Sequence, residues 1–185
     1  MEKPKTYCEA VAGMAPESVH RHYHDHEYGF PISDDNLLFA RLVLEINQAG
    51  LSWTTILNKK DHFFRAFEGF ELSRVAQYGE QDVNRLLNDP GIIRNRLKVQ
   101  AVVHNAQVIL DLQRQHGSFQ AWLDSHHPKP IQDWVKLFKK TFKFTGGEIV
   151  NEFLMSTGYL PGAHVEECGV FAQVLANAPR WHTHR

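Results

Sequence analysis

Leu44-Glu45-Ile46-Asn47-Gln48-Ala49-Gly50-Leu51-Ser52-Trp53 is the stretch around which the rest of the chain is organised. Its first half closes an apolar-periodic helix. On a wheel of about 100° per residue, Leu38, Phe39, Leu42, Ile46 and Ala49 share one arc. Gly50 stops that helix, the usual role of a glycine just past a C-terminus. Ser52 then N-caps a second helix that opens with Trp53. One carboxylate and one large aromatic thus flank a tight helix-to-helix turn. Glu45 falls at the edge of the apolar arc, where a carboxylate is partly desolvated. It reads either as a boundary glutamate reaching back to water or as a pocket acid beside a stacking platform.

The 185 residues suffice for one domain with a real core, and the chain reads as a single helical domain over 1–185. The hydrophobic fraction of 43% is that of an ordinary globular protein. No apolar run is long enough to span a membrane. The charged start, Met1-Glu2-Lys3-Pro4-Lys5, lacks a signal-peptide core, so a cytoplasmic protein is expected. A net charge of −1 argues against non-specific coating of nucleic acid, while leaving room for a local basic face.

Strand alternation is almost absent. Helical periodicity dominates from about residue 17 to 157, with no internal repeat and no low-complexity linker. Helices are predicted at 17–26, 34–49, 52–67, 72–77, 81–87, 94–115, 119–124, 131–140 and 147–157. Ser33-Asp34-Asp35 is a plausible N-cap for the second. Breaks fall at Gly29-Phe30-Pro31, Asp89-Pro90-Gly91, His127-Pro128 and Pro161-Gly162. The fold class is all-α, an irregular helical array rather than a simple bundle.

The run from Val83 to Arg96 reads helix, tight turn, helix. Gly91 can take a positive φ there, and Ile92 and Ile93 would anchor the turn in the core. Arg94, Arg96 and Lys98 come next at the start of the second helix, where free amides backed by cations make an anion site. The plainer reading is an ordinary helical hairpin with solvated basic residues. Lys136, Lys139, Lys140 and Lys143 form a second basic patch, which reads as a solvated helix face.

Two cysteines, Cys8 and Cys168, suggest metal or free thiols before a disulfide. His164 and Cys168 are four apart and would share a face on a helical turn. A closed tetrahedral zinc site needs two more ligands. Cys8 and one histidine from the cluster at 20, 22, 24 and 26 would complete it and staple the terminal segments together. Spacing does not choose the histidine, because 20 pairs with 24 and 22 with 26.

These motifs, taken together, resemble the bacterial DNA-3-methyladenine glycosylase I family, of the helix-hairpin-helix glycosylase superfamily. The resemblance rests on Leu44-Glu45 with Gln48–Trp53, on Tyr23-His24-Asp25, Glu27 and Gly29, on Gly91-Ile92-Ile93-Arg94, and on Phe142-Lys143-Phe144. It runs from about Tyr7 to Cys168. Departures are Ala10 and Tyr28, each at a common family tryptophan, and His20 at an expected aromatic. The segment from Cys8 to His24 is about three residues longer than the family's.

The resemblance implies a role for each motif. By it, the run at Asp89 is a helix-hairpin-helix element that holds a DNA phosphate, through Gly91, Ile92 and Arg94. Gly50 and Leu51 meet the duplex, with Leu51 as the wedge that fills the gap left by a flipped nucleotide. The family's pattern puts structural zinc on Cys8, His24, His164 and Cys168, which selects His24. It makes Trp53 the stacking partner of the cationic base, a contact worth about 0.5–2 kcal/mol. It makes Glu45 the catalytic-site carboxylate that accepts from the exocyclic amine, with Tyr23 and Tyr28 in the same pocket.

Residues 94–115 contain aspartate only at 111, so the aspartate that related glycosylases use is missing, and no lysine suits a Schiff base. The activity implied by the resemblance is hydrolytic release of 3-methyladenine from double-stranded alkylated DNA, without strand cleavage, by a monomer. Two other classes compete: a non-catalytic binder of damaged DNA, favoured by Ala10, His20 and Tyr28, and a zinc-stapled protein-interaction module.

Overall fold

A computed structural model describes residues 5–183; the first four residues of the charged start lie outside the described residues. The helices, in chain order, are α1 (Tyr7–Ala12), α2 (Val19–His26), α3 (Asp35–Gln48), α4 (Trp53–Ala66), α5 (Leu72–Val75) and α6 (Glu80–Leu87). They continue with α7 (Arg96–His116), α8 (Phe119–His126), α9 (Ile131–Thr141), α10 (Gly147–Ser156), α11 (Phe171–Ala176) and α12 (Arg180–Thr183). No strand occurs among the described residues. No helix among them is long and apolar enough to cross a membrane.

The chain divides into two compact units. One is contiguous, Ser33–Asn151, and is built on α3. Asp34 caps that helix, its carboxylate accepting from the Leu37 amide at 2.9 Å. Asp35 reaches further and accepts from the amides of Phe119 (2.8 Å) and Gln120 (3.1 Å), which open α8. The α3 helix packs with α4, α7 and α8 and is buried from Leu38 to Asn47 without a break. A helix buried on all sides has no boundary arc. This corrects the wheel: Glu45 is only 4% exposed and lies inside the fold, not at the edge of an apolar stripe. Phe39, Phe63, Phe67 and Phe70 form one group of neighbouring buried rings, and Phe119, Trp122, Trp134 and Phe138 another. Each such side chain contributes about 1.5–3 kcal/mol of burial.

The other unit joins residues up to Ile32 with those from Glu152 onward. Thr6 caps α1 and Ser18 caps α2 through their hydroxyls. Gly29 is needed twice over. Its φ is +86°, and a Cβ there would fall 2.8 Å from the Ala163 Cβ and 3.3 Å from His164 Cδ2. The glycine therefore lets the chain after α2 lie directly against the His164 segment.

Candidate functional site

Four side chains from both ends of the chain converge. The ligating atoms of Cys8 (α1), His24 (α2), His164 and Cys168 all lie within 4.8 Å of one another. Cys8 Sγ and Cys168 Sγ are each 3.7 Å from His164 Nδ1, and Cys168 Sγ is 3.7 Å from His24 Nε2. Sulfur and nitrogen ligands of one tetrahedral zinc stand about 3.6 Å apart, given bonds of about 2.3 and 2.0–2.1 Å.

The remaining ring nitrogens are spoken for. His164 Nε2 lies 2.7 Å from the Tyr28 carbonyl, which can only accept, so the proton sits on Nε2 and the Nδ1 lone pair faces the sulfurs. His24 Nδ1 is 2.7 Å from Asp25 Oδ1, which leaves Nε2 for the centre. A carboxylate or backbone carbonyl behind each ligating imidazole is how metal centres fix tautomer and ring orientation. Burial holds His164 below its ordinary value, against the pull of the Tyr28 carbonyl, and so favours the neutral imidazole that ligates. Burial also pushes the Cys8 thiol up, so a metal must displace its proton. Although burial acts against it, hydrogen bonds from His24 and Arg21 keep the Asp25 carboxyl below the usual range. The donor set and its supports fit a tetrahedral metal.

One sequence expectation changes here, and one residue is added. His164 and Cys168 are not on a helical turn: the segment is a series of turns, with the Cys168 amide bonded to Val165 O at 3.0 Å. The Tyr-His-Asp motif gives Asp25 no role by itself, yet Asp25 is the orienting carboxylate; its adjacency to His24 is the signal that could find it.

Tyr23 and Tyr28 are buried at 3% and 7% exposure, their rings 5.6 Å apart. The Tyr7 ring stands edge-on to Tyr28 at 5.4 Å, and the Tyr7 hydroxyl meets His20 Nδ1 at 2.8 Å. The Tyr28 hydroxyl donates to Glu152 Oε2 at 3.1 Å. Tyr28 thus serves His164 of the Cys–His cluster with its carbonyl and Glu152 with its phenol.

In the contiguous unit, the stretch from Leu44 to Trp53 folds as its residues dictate. The α3 helix ends at Gln48, Gly50 takes φ +80°, and Ser52 caps α4 by accepting from the Thr55 amide at 3.2 Å. Leu51 stands at the tip, 39% exposed, and Trp53 is half-buried at the first position of α4. The turn is braced from a distance. Lys98 Nζ donates to Asn47 O (2.9 Å) and Ala49 O (2.8 Å), satisfying carbonyls that a helix end leaves open. The sequence places Lys98 on the basic face of the hairpin; the structure buries it to 5% exposure, and burial holds its ammonium below the ordinary lysine range.

The hairpin joins α6 to α7. Ile92 is buried, and Arg94 is exposed. Gly91 is not in the positive-φ region; its requirement is space, since a Cβ would fall 2.7 Å from His62 Nδ1 and 2.9 Å from Asp89 Oδ1. Its amide donates to Asp89 Oδ1 at 2.7 Å. Among the described residues, the amides of Ile93 and Arg94 have no protein acceptor, so the open donors lie one step beyond Gly91. Arg96 is paired with Glu80 at 2.7 Å.

Comparison with known proteins places the chain in a class. The methyladenine glycosylase family matches residues 13–136. DNA-3-methyladenine glycosylase 1 of Escherichia coli K12 is 34% identical over 179 residues, covering 86% of this chain and 95% of that protein. The DNA-3-methyladenine glycosylase of Haemophilus influenzae is 31% identical over 175 residues, covering 84% and 94%. The solved 3-methyladenine DNA glycosylase I of Staphylococcus aureus, described for its recognition of 3-methyladenine, superposes with a TM-score of 0.77 at 36% identity, over 84% of this chain and 93% of that one. The chain belongs to the methyladenine glycosylase family. Of the four clustered residues that could hold a metal, only His24 lies within the matched residues.

Proposed function

We propose that this protein repairs alkylated double-stranded DNA by flipping out 3-methyladenine and hydrolysing its glycosidic bond, without cutting the strand. The observation that carries the reading is Glu45: a carboxylate with 4% exposure, in the helix that ends at the Gly50-Leu51 turn, ahead of Trp53, in a chain of this family. A buried acceptor favours a cationic base over neutral adenine. The methylated base is charged while attached and neutral on leaving, so it departs without strong acid catalysis. Flipping costs a few kcal/mol and less at a damaged pair.

We assign Glu45 the catalytic-site role of accepting from the exocyclic amine, Trp53 the stacking contact, and Tyr23 and Tyr28 further contacts to the base. Gly50 and Leu51 form the wedge. The α6–α7 connection acts as a helix-hairpin-helix phosphate clamp, with Gly91 and Ile92 shaping it and Arg94 supplying charge. Zinc would be held by Cys8, His24, His164 and Cys168, and its contribution is to join the terminal segments. The chain acts as one monomeric glycosylase domain in the cytoplasm. The test is release of free 3-methyladenine from an alkylated duplex. Release with an intact strand supports the reading; tight binding of damaged duplex without release favours the second reading, a non-catalytic binder, to which Ala10, His20 and Tyr28 point.

The hairpin assignment has its own test. Gly91→Val places side-chain atoms where His62 and Asp89 stand, which displaces the Ile93 and Arg94 amides. Affinity for a duplex containing an abasic site should fall tenfold or more, since a hydrogen bond to a charged group is worth about 1.5–3 kcal/mol. Binding of free 3-methyladenine should be unchanged. Equal losses for both ligands would mean a general fold defect and remove the hairpin from the interface.

A further inference from the structure

None of the roles proposed above falls on the loop between α9 and α10, residues 142–146. Phe144 holds φ +63°, a left-handed conformation that bulky residues rarely adopt and that persists only where the surroundings enforce it. At 41% it is the most exposed phenylalanine, tyrosine or tryptophan among the described residues. The loop around it is tightly held. Asn105 of α7, fully buried, donates to Lys143 O at 3.0 Å and accepts from the Lys143 amide at 2.8 Å. Phe142 and Thr145 on either side are buried. The backbone is therefore fixed so that Phe144 stands out rather than packing in.

Its position is fixed as well. Lys98 Nζ lies 6.0 Å from the centre of the Phe144 ring, and the same ammonium is bonded to Ala49 O, next to Gly50. One cation thus touches both the Phe144 face and the backbone entering the Leu51 turn. The α7 helix that carries Lys98 and Asn105 begins at the hairpin. Lys143 is exposed and lies beyond the end of α9, so it belongs to this loop and not to a solvated helix face. Its charge is complementary to phosphate.

We propose that Phe144 is a second apolar contact to duplex DNA, stacking its ring on a base or sugar beside the position entered by Leu51, with Lys143 on the neighbouring phosphate. The proposal rests on the DNA reading given under the proposed function. Stacking of this kind tolerates any sequence, because every base has a π-face. Glycine tolerates the backbone conformation of residue 144 better than phenylalanine does.

Phe144→Gly therefore separates function from structure. Its melting temperature should stay the same or rise, while affinity for an abasic-site duplex falls about 5- to 150-fold, the range for one lost stacking contact. Binding of free 3-methyladenine should not change. Lys143→Ala should reduce the salt dependence of duplex binding by about one counterion. A lower melting temperature with unchanged duplex affinity would make Phe144 structural and overturn the proposal. Loss of self-association in place of DNA affinity would assign the loop to a protein contact and overturn it too. A wild-type protein that does not bind abasic duplex overturns the DNA reading itself, a result distinct from failure of Phe144 alone.

Discussion

Glu45→Gln should lower the rate of 3-methyladenine excision by about 5- to 150-fold while leaving affinity for abasic duplex nearly unchanged. The side chain keeps its volume, so the tightly packed α3 helix, buried from Leu38 to Asn47, loses no van der Waals contact. What changes is charge and hydrogen-bond sense. The carboxylate accepts at both oxygens; the amide presents a donor at one of them. At 4% exposure, water is not at hand to rescue a donor facing the amine of the base, and a buried mismatch of this kind costs about 1–3 kcal/mol. At about 1.4 kcal/mol per factor of ten, that gives the stated range. An abasic duplex places no base against residue 45 and so serves as the internal control. Excision at the wild-type rate, with the fold intact by thermal melting, would leave Glu45 without a part in recognition.

Cys168→Ser should strip the metal and destabilise the protein in one step. Wild-type protein is expected to carry one zinc per chain, and the variant close to none. Metal binding and folding are coupled, because the ligands come together only in the folded chain. A loss of about 4 kcal/mol corresponds to a fall of about 10 °C in melting temperature for a protein of this size. Asp25→Asn offers a graded version. It keeps the contact behind His24 Nδ1 but removes its charge, and supports of this kind are worth about 10- to 100-fold in metal affinity. Full zinc content in Cys168→Ser, or none in the wild type, would end the assignment.

Periodicity makes α2 to α10 legible to within a few residues, because those helices bury apolar positions at regular spacing. The short α1, α11 and α12 escape it because they lie outside the periodic stretch between about residues 17 and 157. The wheel places Glu45 at a boundary because it assumes one dry face, and α3 has none that is wet between Leu38 and Asn47. In sequence, Lys98 looks like one of three hairpin cations. Its burial comes from two carbonyls 49 and 51 positions away, which no local pattern contains. The four-residue spacing of His164 and Cys168 suggests a shared helical face; the pair converges through turns instead. Spacing leaves four histidines open as ligands. Resemblance singles out His24, and the structure brings that one into the centre.

The cluster of Cys8, His24, His164 and Cys168 also bears on how the chain is made. The Ser33–Asn151 unit is continuous and can complete its core as soon as it leaves the ribosome. The other unit cannot, because His24 and Cys168 are separated by 144 positions. At about 5–20 residues per second, Cys8 and His24 wait roughly 7–30 s for their partners to be synthesised. For that interval the nascent chain carries two of the four clustered Cys and His side chains, so a metal held by all four would be captured among the last events of its biogenesis.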